Sequence, residues 1–249
     1  MDKHTIIQKA RTGFDEDFLK KNYMEERTGD VEHLLKILSH LNITAHSRIL
    51  DLGTGSGFLA FPLAQANLEN TVIGLDIAVR TLAQNREKAS MMGLTNLNFM
   101  DYDGINIPFE DNTFNYVVTR YALHHFPDIE KSFIEIGRVL KTGGILFISD
   151  PTPNGIDDIR FVDTFMQMKD DGHVKFYLKS ELTELAGKHG FQLIASFDSE
   201  IRFPSDRTEK YLQIADSIDE KIIESYDIEV NQGQVFITEQ VVNLMFKKL

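Results

Sequence analysis

The chain has 249 residues, 42% of them hydrophobic, which is enough for one α/β domain with a sizeable core and leaves no room for a second large domain. Its formal net charge of −12, with lysine and arginine scattered along the chain, argues against nucleic acid as a substrate because phosphate-backbone binding needs a basic surface. The absence of cysteine excludes disulfides and thiolate chemistry.

The N-terminal segment lacks the apolar core of a signal peptide, and no apolar run approaches the ~18 residues of a membrane helix. We therefore expect a cytoplasmic protein without membrane insertion. Residues 1–44 are predicted to form a helical leader, in which a polar stretch carrying Phe14, Phe18 and Tyr23 precedes an amphipathic helix over 31–41. The three aromatic side chains either dock the leader on the core or make it a lid that excludes water from a reaction.

A predicted buried strand ends in a turn with glycines at alternate positions, Gly53, Gly55 and Gly57. These glycines leave the backbone open to a ligand, and the predicted helix over 58–66 offers it unpaired N–H groups. The turn lacks the lysine of a P-loop, and its G-x-G-x-G spacing differs from the dinucleotide fingerprint. Asp51 suits a ligand's ammonium group and the helix end suits a carboxylate. An amino-acid-bearing nucleoside fits both, which points to S-adenosylmethionine.

The next elements alternate between strands and helices. A strand over 71–75 ends at Asp76, beside the glycine turn, and a helix with a 3.6-residue apolar period follows it. The carboxylate of Asp76 either accepts hydrogen bonds from two ribose hydroxyls or caps that helix. A third strand is predicted over 97–100.

A fourth strand over 114–119 brings Thr119 and Arg120 to the carboxyl edge of the sheet, where open α/β sheets bind ligands. His124 and His125 follow at the turn into the next helix. This pair and Arg120 form the cluster of greatest chemical interest. Paired histidines at such a turn can also simply bind backbone atoms or pack in the core, and the sequence leaves that alternative open.

The second half of the chain is predicted to cover the site. A strand over 145–149 ends at Asp150, which either faces a substrate or caps a turn, and residues 151–179 form an insertion with methionine and aromatic side chains. These side chains are either core or an apolar cover for a hydrophobic acceptor. A sixth strand is predicted over 191–197.

The tail carries a predicted helix over 206–225 and a final strand over 240–247. The apolar residues on one face of this helix form either part of the substrate wall or an oligomer contact, such as a homodimer interface.

Five segments in this order resemble the motifs of the class I S-adenosylmethionine-dependent methyltransferases, specifically the ubiquinone/menaquinone-biosynthesis-like group of small-molecule enzymes. The segments are ILDLGTGSG over 49–57, VIGLD over 72–76, Asp103 with IPFEDNTF over 107–114, YALHHF over 121–126 and VLKTGG over 139–144. The resemblance covers roughly residues 45 to 195. Asn115 and Thr142 stand where the family usually has aspartate and proline.

The resemblance implies an α/β fold with a Rossmann-like sheet of seven strands. The sheet is mostly parallel, its last strand runs antiparallel between strands five and six, and helices cover both faces. Residues 1–249 would then be a single domain, with the leader over 1–44, a cofactor-binding half over 45–150 and a substrate-side half with insertions over 151–249.

The resemblance also implies a set of site residues. Asp103 would take the adenine amino group, with Asp101 as its competitor. The residues expected to bind the cofactor are Asp51, Gly53, Thr54, Gly55, Gly57, Asp76, Ile77, Asp103, Gly104 and Thr119. For catalysis, His125 or His124 would serve as a general base, and Arg120 would hold an anionic acceptor or the methionine carboxylate. No metal site is predicted.

The expected function is transfer of a methyl group from S-adenosylmethionine to a small-molecule acceptor by in-line displacement. Two alternatives stay open: a non-catalytic S-adenosylmethionine-binding module, which would need the same motifs, and a nicotinamide-dependent dehydrogenase, which the glycine spacing disfavours. The sequence does not identify the acceptor or the methylated atom.

Overall fold

The computed structural model describes residues 2–17, 29–205 and 207–249. The helices are α1 Lys3–Asp17, α2 Val31–Leu41, α3 Ala60–Ala66, α4 Val79–Met91, α5 Ile129–Val139, α6 Phe161–Gln167, α7 Lys179–Lys188, α8 Thr208–Leu212 and α9 Glu220–Ser225. The strands are β1 Arg48–Leu52, β2 Thr71–Asp76, β3 Leu97–Asp101, β4 Phe114–Arg120, β5 Leu140–Thr152, β6 Phe191–Ser205, β7 Glu229–Asn231 and β8 Gln234–Lys248. No helix in this described part of the chain is both long and apolar enough to cross a membrane.

The strands form one sheet in the order β3-β2-β1-β4-β5-β8-β6. The first five of these are parallel, and β8 lies antiparallel between β5 and β6. This arrangement confirms the predicted mostly parallel sheet with an antiparallel last strand. The short strand β7 pairs with β8 off this path, so the sheet has eight strands and not seven.

Helices cover both faces of the sheet, which is why its central strands are almost continuously apolar. On one face, α5 and α7 pack on the strands through side chains such as Phe133 and Leu182. On the other face, α2, α3 and α4 pack through side chains such as Ile37, Leu63 and Leu82. The two clusters together make the core predicted for a doubly covered α/β sheet.

A third apolar cluster lies under the tail and explains its departures from prediction. The ends of β6 and β8 extend well beyond the predicted spans and pack against α6, α8 and α9. Strand β6 alternates between inward and outward residues over its whole length, but its outward charges and Pro204 obscure that pattern in the sequence.

The predicted continuous helix over 206–225 is wrong. The structure has two short helices there, α8 and α9, with a 3-10 turn at Ala215–Ser217 between them. The chain is interrupted because the side chain of Ser217 donates to the carbonyl of Ile214, and Asp219 restarts the helix by accepting a hydrogen bond from the backbone N–H of Lys221. Position 206 lies outside the described residues.

Helix α1, the first described part of the predicted leader, lies over the carboxyl edge of the sheet. On α1, Ile6, Ile7 and Ala10 are buried, and Phe14 packs edge-on against the ring of His125 at 4.7 Å between centroids. Phe18 and Tyr23 lie outside the described residues. The contacts of α1 are compatible both with docking and with a lid, so the lid stays a prediction.

The glycine turn offers a test of the fold with a matched control. Gly53 and Gly93 both have left-handed backbones, with φ of +73° and +67°. A Cβ at Gly53 would lie 2.4 Å from the Cβ of Ala122, whereas nothing lies within 4 Å of a Cβ at Gly93. We expect Gly93→Ala to lower the free energy of unfolding by about 1 kcal/mol through backbone strain alone. Gly53→Ala should cost about 1–3 kcal/mol more, because overpacking adds to that strain.

Urea denaturation of both variants measures this difference. Equal losses for the two substitutions would contradict the close contact between the glycine turn and the segment after β4.

Candidate active site

A cavity opens at the carboxyl edge of the sheet, where the parallel strands β1, β2, β4 and β5 end. The space free of protein atoms there is about 1290 Å³, a figure that includes the part open to solvent. Helix α1 contributes Ile7, Ala10 and Phe14 to its wall. This is the position at which open α/β sheets bind their ligands.

Most of the residues predicted from the sequence lie on this wall. Those on the wall are Gly53, Thr54, Gly55, Asp76, Ile77, Gly104, Arg120, His124 and His125. The wall does not include Asp51, Gly57, Asp103 or Thr119.

Hydrogen bonds to and from its backbone hold the glycine turn in place. The N–H groups of Gly53 and Thr54 donate to the carbonyl of Leu75, at 2.8 and 3.1 Å. The side-chain amide of Asn85, on α4, donates to the carbonyl of Gly55 at 2.7 Å. Because φ is +73° at Gly53 and +48° at Gly55, the turn takes a path that favours glycine at both positions.

Asp76 connects this turn to the end of β2. One carboxylate oxygen accepts from the N–H of Gly55 at 2.7 Å and the other from the N–H of Ala78 at 2.9 Å. Burial raises the pKa of Asp76, which the backbone donors partly oppose. A carboxylate has about four lone-pair sites, so Asp76 can hold the turn and still accept hydrogen bonds from a ligand in the cavity.

Two predicted acids support the wall without lining it, Asp51 from the buried interior and Asp103 from the exposed surface. Asp51 is buried, accepts a hydrogen bond from the hydroxyl of Thr54 at 2.7 Å, and has its pKa raised to about 7 by burial, against the effect of that hydrogen bond. The carboxylate of Asp103 accepts from the N–H groups of Ile105 and Asn106 at 2.8 and 2.7 Å. In this geometry Asp103 shapes the loop while its neighbour Gly104 reaches the wall.

Gly57 and Thr119 are also set back from the cavity. A Cβ on Gly57 would lie 2.6 Å from the ring of Phe61, so its packing requires glycine. Thr119 is 1% exposed, and its hydroxyl has no hydrogen-bond partner among the described residues. Tyr102 and Phe58, which no motif singled out, take places on the wall.

Arg120 lies between two aromatic rings. Its guanidinium carbon is 3.9 Å from the ring centroids of Phe58 and of Tyr121, and its Nη2 lies 3.5 Å from Nδ1 of His33. Burial lowers the pKa of Arg120, against the stabilising contact with Tyr121. Tyr121 has φ of +54°, a left-handed backbone that is costly for a bulky residue and is typical of functional sites.

His124 and Asp150 form a buried acid–base pair. Nδ1 of His124 lies 3.0 and 3.1 Å from the two carboxylate oxygens of Asp150, and Asp150 is 1% exposed. Burial lowers the pKa of His124 well below 6.5 and raises the pKa of Asp150 well above 3.8. Burial therefore favours the state in which the pair shares one proton and has no net charge. The sequence left open whether Asp150 faces a substrate or caps a turn. In the structure its carboxylate is oriented toward Nδ1 of His124.

A second acid–base pair lies next to the first one. Nε2 of His173 is 3.0 Å from a carboxylate oxygen of Asp163, which also accepts from the N–H of Phe176. The ring of Phe176 lies 4.8 Å from the rings of both His124 and His173. The ring of His125 is 4.3 Å from that of His124, and its Nδ1 is buried with no hydrogen-bond partner among the described residues.

The part of the cavity farther from the glycine turn has acidic and basic side chains that sequence reasoning missed. Asp171, Arg207 and Glu239 line it, together with apolar side chains including Phe176 and Phe203. Nη2 of Arg207 lies 3.9 Å from Oδ2 of Asp171. Burial raises the pKa of Glu239 to about 8, which the nearby Arg207 opposes.

A sequence signal for Glu239 does exist. It occupies an inward position in the alternating run Val235, Ile237, Glu239, Val241, whose other three members are apolar and buried. The prediction began the last strand at 240 and so excluded this position. Asp171 and Arg207 lie in irregular segments, where no periodicity identifies inward residues.

The sequence matches the model of a family described as a methyltransferase domain over residues 43–216. The chain is also similar to the uncharacterized methyltransferase YcgJ of Bacillus subtilis (strain 168), with 26% identity over 226 residues that cover 85% of this chain and 88% of YcgJ. The solved structure of YcgJ superposes with a TM-score of 0.76 at 23% identity, over 87% of this chain and 98% of that chain. These matches confirm the resemblance that the five motifs indicated.

Two further similarities are partial or more distant. The demethylmenaquinone methyltransferase of Thermus thermophilus is 39% identical over 113 residues, which cover 45% of this chain and 51% of that protein. The chain thus aligns with about half the length of this relative. The [4+2]-cyclase SpnF has the same fold, with a TM-score of 0.63 at 21% identity over 87% of this chain and 80% of SpnF.

Glu239 provides a test of the site's electrostatics through Glu239→Gln. Between its ordinary pKa of 4.5 and the folded value of about 8, the unfolded chain releases the carboxyl proton while the folded chain keeps it. Wild-type stability should therefore fall relative to the variant by about 1.4 kcal/mol per pH unit in this window. Below pH 4.5 the pH dependence of the two proteins should coincide.

Thermal unfolding from pH 4 to pH 9 measures this difference. Glu200→Gln is the control, because Glu200 is exposed on the neighbouring strand β6. If the melting temperatures of wild type and Glu239→Gln changed with pH in parallel, that result would contradict a buried, protonated Glu239.

Proposed function

This chain belongs to the methyltransferase-domain family, and from that membership and the geometry of the cavity we propose that it transfers a methyl group from S-adenosylmethionine to a small-molecule acceptor. The observation that carries the proposal is the glycine turn whose N–H at Gly55 is held by Asp76 on the cavity wall. S-adenosylmethionine would supply an electrophilic methyl group, which the nucleophilic atom of the acceptor attacks in line, with S-adenosylhomocysteine as the leaving group. The protein's own contribution is to bind, orient and desolvate the two reactants.

The residues of the wall fit this cofactor. The remaining lone pairs of Asp76 suit ribose hydroxyls, and the open backbone at Gly53 and Gly55 suits the amino-acid end. Ile77 and Tyr102 provide apolar surface for a purine, next to the backbone of Gly104. Asp51, Gly57, Asp103 and Thr119 are proposed to act without lining the wall, by holding the turn and the loop that touch the cofactor.

The pair His124–Asp150 is proposed to accept a proton from the acceptor. Nε2 of His124 can accept a proton only when Asp150 is ionised and accepts from Nδ1–H. The uncharged pair that burial favours must first lose its shared proton, because Nε2 is protonated in that state. Asp150 acts as the positioning residue, because it fixes the tautomer and the orientation of the ring. His125 remains a second candidate for the base. Such a base is needed only where the acceptor's nucleophilic atom holds a proton.

Arg120 has two proposed roles, which are to hold an anionic acceptor or to hold the methionine carboxylate. Stacking between Phe58 and Tyr121 orients its guanidinium without neutralising the charge.

The fold alone does not decide between a catalyst and a binding module, since SpnF has the same fold and is a [4+2]-cyclase. The pair of His124, on the cavity wall, and Asp150, buried behind it, favours a catalyst, because cofactor binding does not require it. The acceptor is proposed to be a small molecule. A quinone-like acceptor is one option, by analogy with the demethylmenaquinone methyltransferase.

The remaining predictions extend to the whole protein. A single domain divided into leader, cofactor half and substrate half stays a prediction. A cytoplasmic location and a homodimer also stay predictions.

Isothermal titration of S-adenosylmethionine and of NAD tests the cofactor assignment. We expect wild type to bind S-adenosylmethionine and not NAD, and Asp76→Ala to lose affinity on the order of a hundredfold because hydrogen bonds to a charged group are lost. Asp158→Ala is the matched control, because Asp158 is exposed and lies off the cavity wall. Binding of NAD, or full affinity in Asp76→Ala, would overturn the assignment.

Release of S-adenosylhomocysteine from an acceptor found by screening tests the proton acceptor. We expect His124→Gln to lower kcat by about 10²–10⁴-fold, with little change in cofactor affinity. Activity should fall at low pH, where the pair gains the proton that blocks Nε2 of His124. His46→Asn is the control, since His46 is exposed and asparagine tolerates its φ of +58°. A kcat within twofold of wild type in His124→Gln would remove His124 from this role.

A further inference from the structure

The cavity extends well beyond the region that the glycine turn and Asp76 define. In the sheet order, β8 is three strands away from β1, which is ~14 Å at the usual strand spacing. Glu239, on β8, and Ile201, its register partner on β6, both line the same cavity. A ligand on the glycine turn therefore leaves a separate region of wall for another molecule or group.

Two carboxyl groups in this distant region have an oxygen with no hydrogen-bond partner among the described residues. These oxygens are Oε1 of Glu239, whose residue is 1% exposed, and Oδ1 of Asp171, whose residue is 4% exposed. An apolar side chain at either position would avoid the cost of burying an unpaired polar atom. Oδ2 of Asp171 lies 3.6 Å from Nζ of Lys169 and 3.9 Å from Nη2 of Arg207, so ion pairs account for that atom. Oδ1 of Asp171 and Oε1 of Glu239 have no such partner among the described residues and are available to a ligand.

The surroundings define the kind of group that fits. Both unpaired atoms are oxygens, and Asp171 has its pKa lowered, against the effect of burial, by the neighbouring charges of His125, Lys169 and Arg207. An ionised carboxylate can only accept hydrogen bonds, so its partner must donate them. A carboxylate on the ligand would instead repel Asp171. The aromatic rings of Phe176 and Phe203 and the side chain of Met166 add an apolar surface to the same wall.

We propose that Asp171 and Glu239 form the acceptor subsite, and that it binds a hydrogen-bond-donating group, an amine or a hydroxyl, on an acceptor whose apolar body packs against Met166, Phe176 and Phe203. This proposal rests on the proposed methyltransferase function and specifies its acceptor class. His124 follows β4, and Asp150 lies near the end of β5. Both strands lie between β1 and β8 in the sheet. The subsite would therefore hold one end of the acceptor while another part approaches the proton-accepting pair.

The test uses the full-length protein saturated with S-adenosylhomocysteine and titrated with matched probes. The first three probes are phenethylamine, phenethyl alcohol and hydrocinnamate, which share a phenethyl body and differ in the polar head group. A second set carries the same three head groups on a hexyl body. We expect the amine or the alcohol to bind at least tenfold more tightly than the carboxylate of the same body. A carboxylate that binds equally or better overturns the proposal, as does the absence of millimolar binding by every amine and alcohol.

Variants decide whether the two acids cause the preference. Asp171→Asn keeps size and shape while replacing an accepting oxygen by a donating amide, and Glu239→Met keeps an unbranched side chain while removing both polar atoms. Each should weaken the preferred probe by tenfold to a hundredfold. Glu200→Gln should bind that probe as wild type does, because Glu200 is exposed on the neighbouring strand. Unchanged probe affinity in both acid variants overturns the proposal.

Binding of the cofactor product separates this proposal from the one on which it rests. S-adenosylhomocysteine should bind wild type and both acid variants with similar affinity, which also shows that the variants are folded. Failure of wild type to bind it would contradict the methyltransferase function itself. Normal binding of S-adenosylhomocysteine with the wrong order of probes would contradict only the acceptor subsite.

Discussion

The site depends on one buried contact, the hydrogen bond from the N–H of Gly55 to the carboxylate of Asp76. It joins the turn after β1 to the end of β2, across 21 positions of sequence, at 2.7 Å. The turn can lie this close because residue 74 is glycine: a Cβ there would come within 2.6 Å of Phe99 and 2.8 Å of the hydroxyl of Thr54. With Gly55 fixed from both sides by Asp76 and Asn85, the turn presents a rigid backbone to the cavity.

The buried acid–base pairs around the cavity have a different origin. Removing ions from water costs more than a single contact in the interior usually returns, so such pairs are weak evidence for stability. Here two of them, His124–Asp150 and His173–Asp163, lie side by side, with the centroids of the two histidine rings 5.4 Å apart. Their concentration next to one cavity is more consistent with chemistry than with packing.

The sequence predicted best what short-range constraints determine. The glycine turn, Asp76 and the strands β1 to β4 could be recognised because their glycines, acids and apolar runs lie within a few residues of one another. The length of β6 and β8 could not, since charged residues and Pro204 interrupt the apolar pattern and only mutual pairing of the two strands sustains them. Contacts such as His33 with Asn243, which are 210 positions apart, leave no local signal at all.

The antiparallel direction of β8 explains how the tail reaches the ligand edge. In a parallel sheet only the carboxyl ends of the strands meet there, so residues that begin a strand lie at the opposite edge. Because β8 runs the other way, its early residues lie level with the end of β5, where Thr152 pairs with Gln240 and Pro151 with Val241. Glu239 thus reaches the cavity from the start of its strand. The region of the cavity near the glycine turn is lined by strand ends, and Glu239 brings the beginning of a strand to its other region.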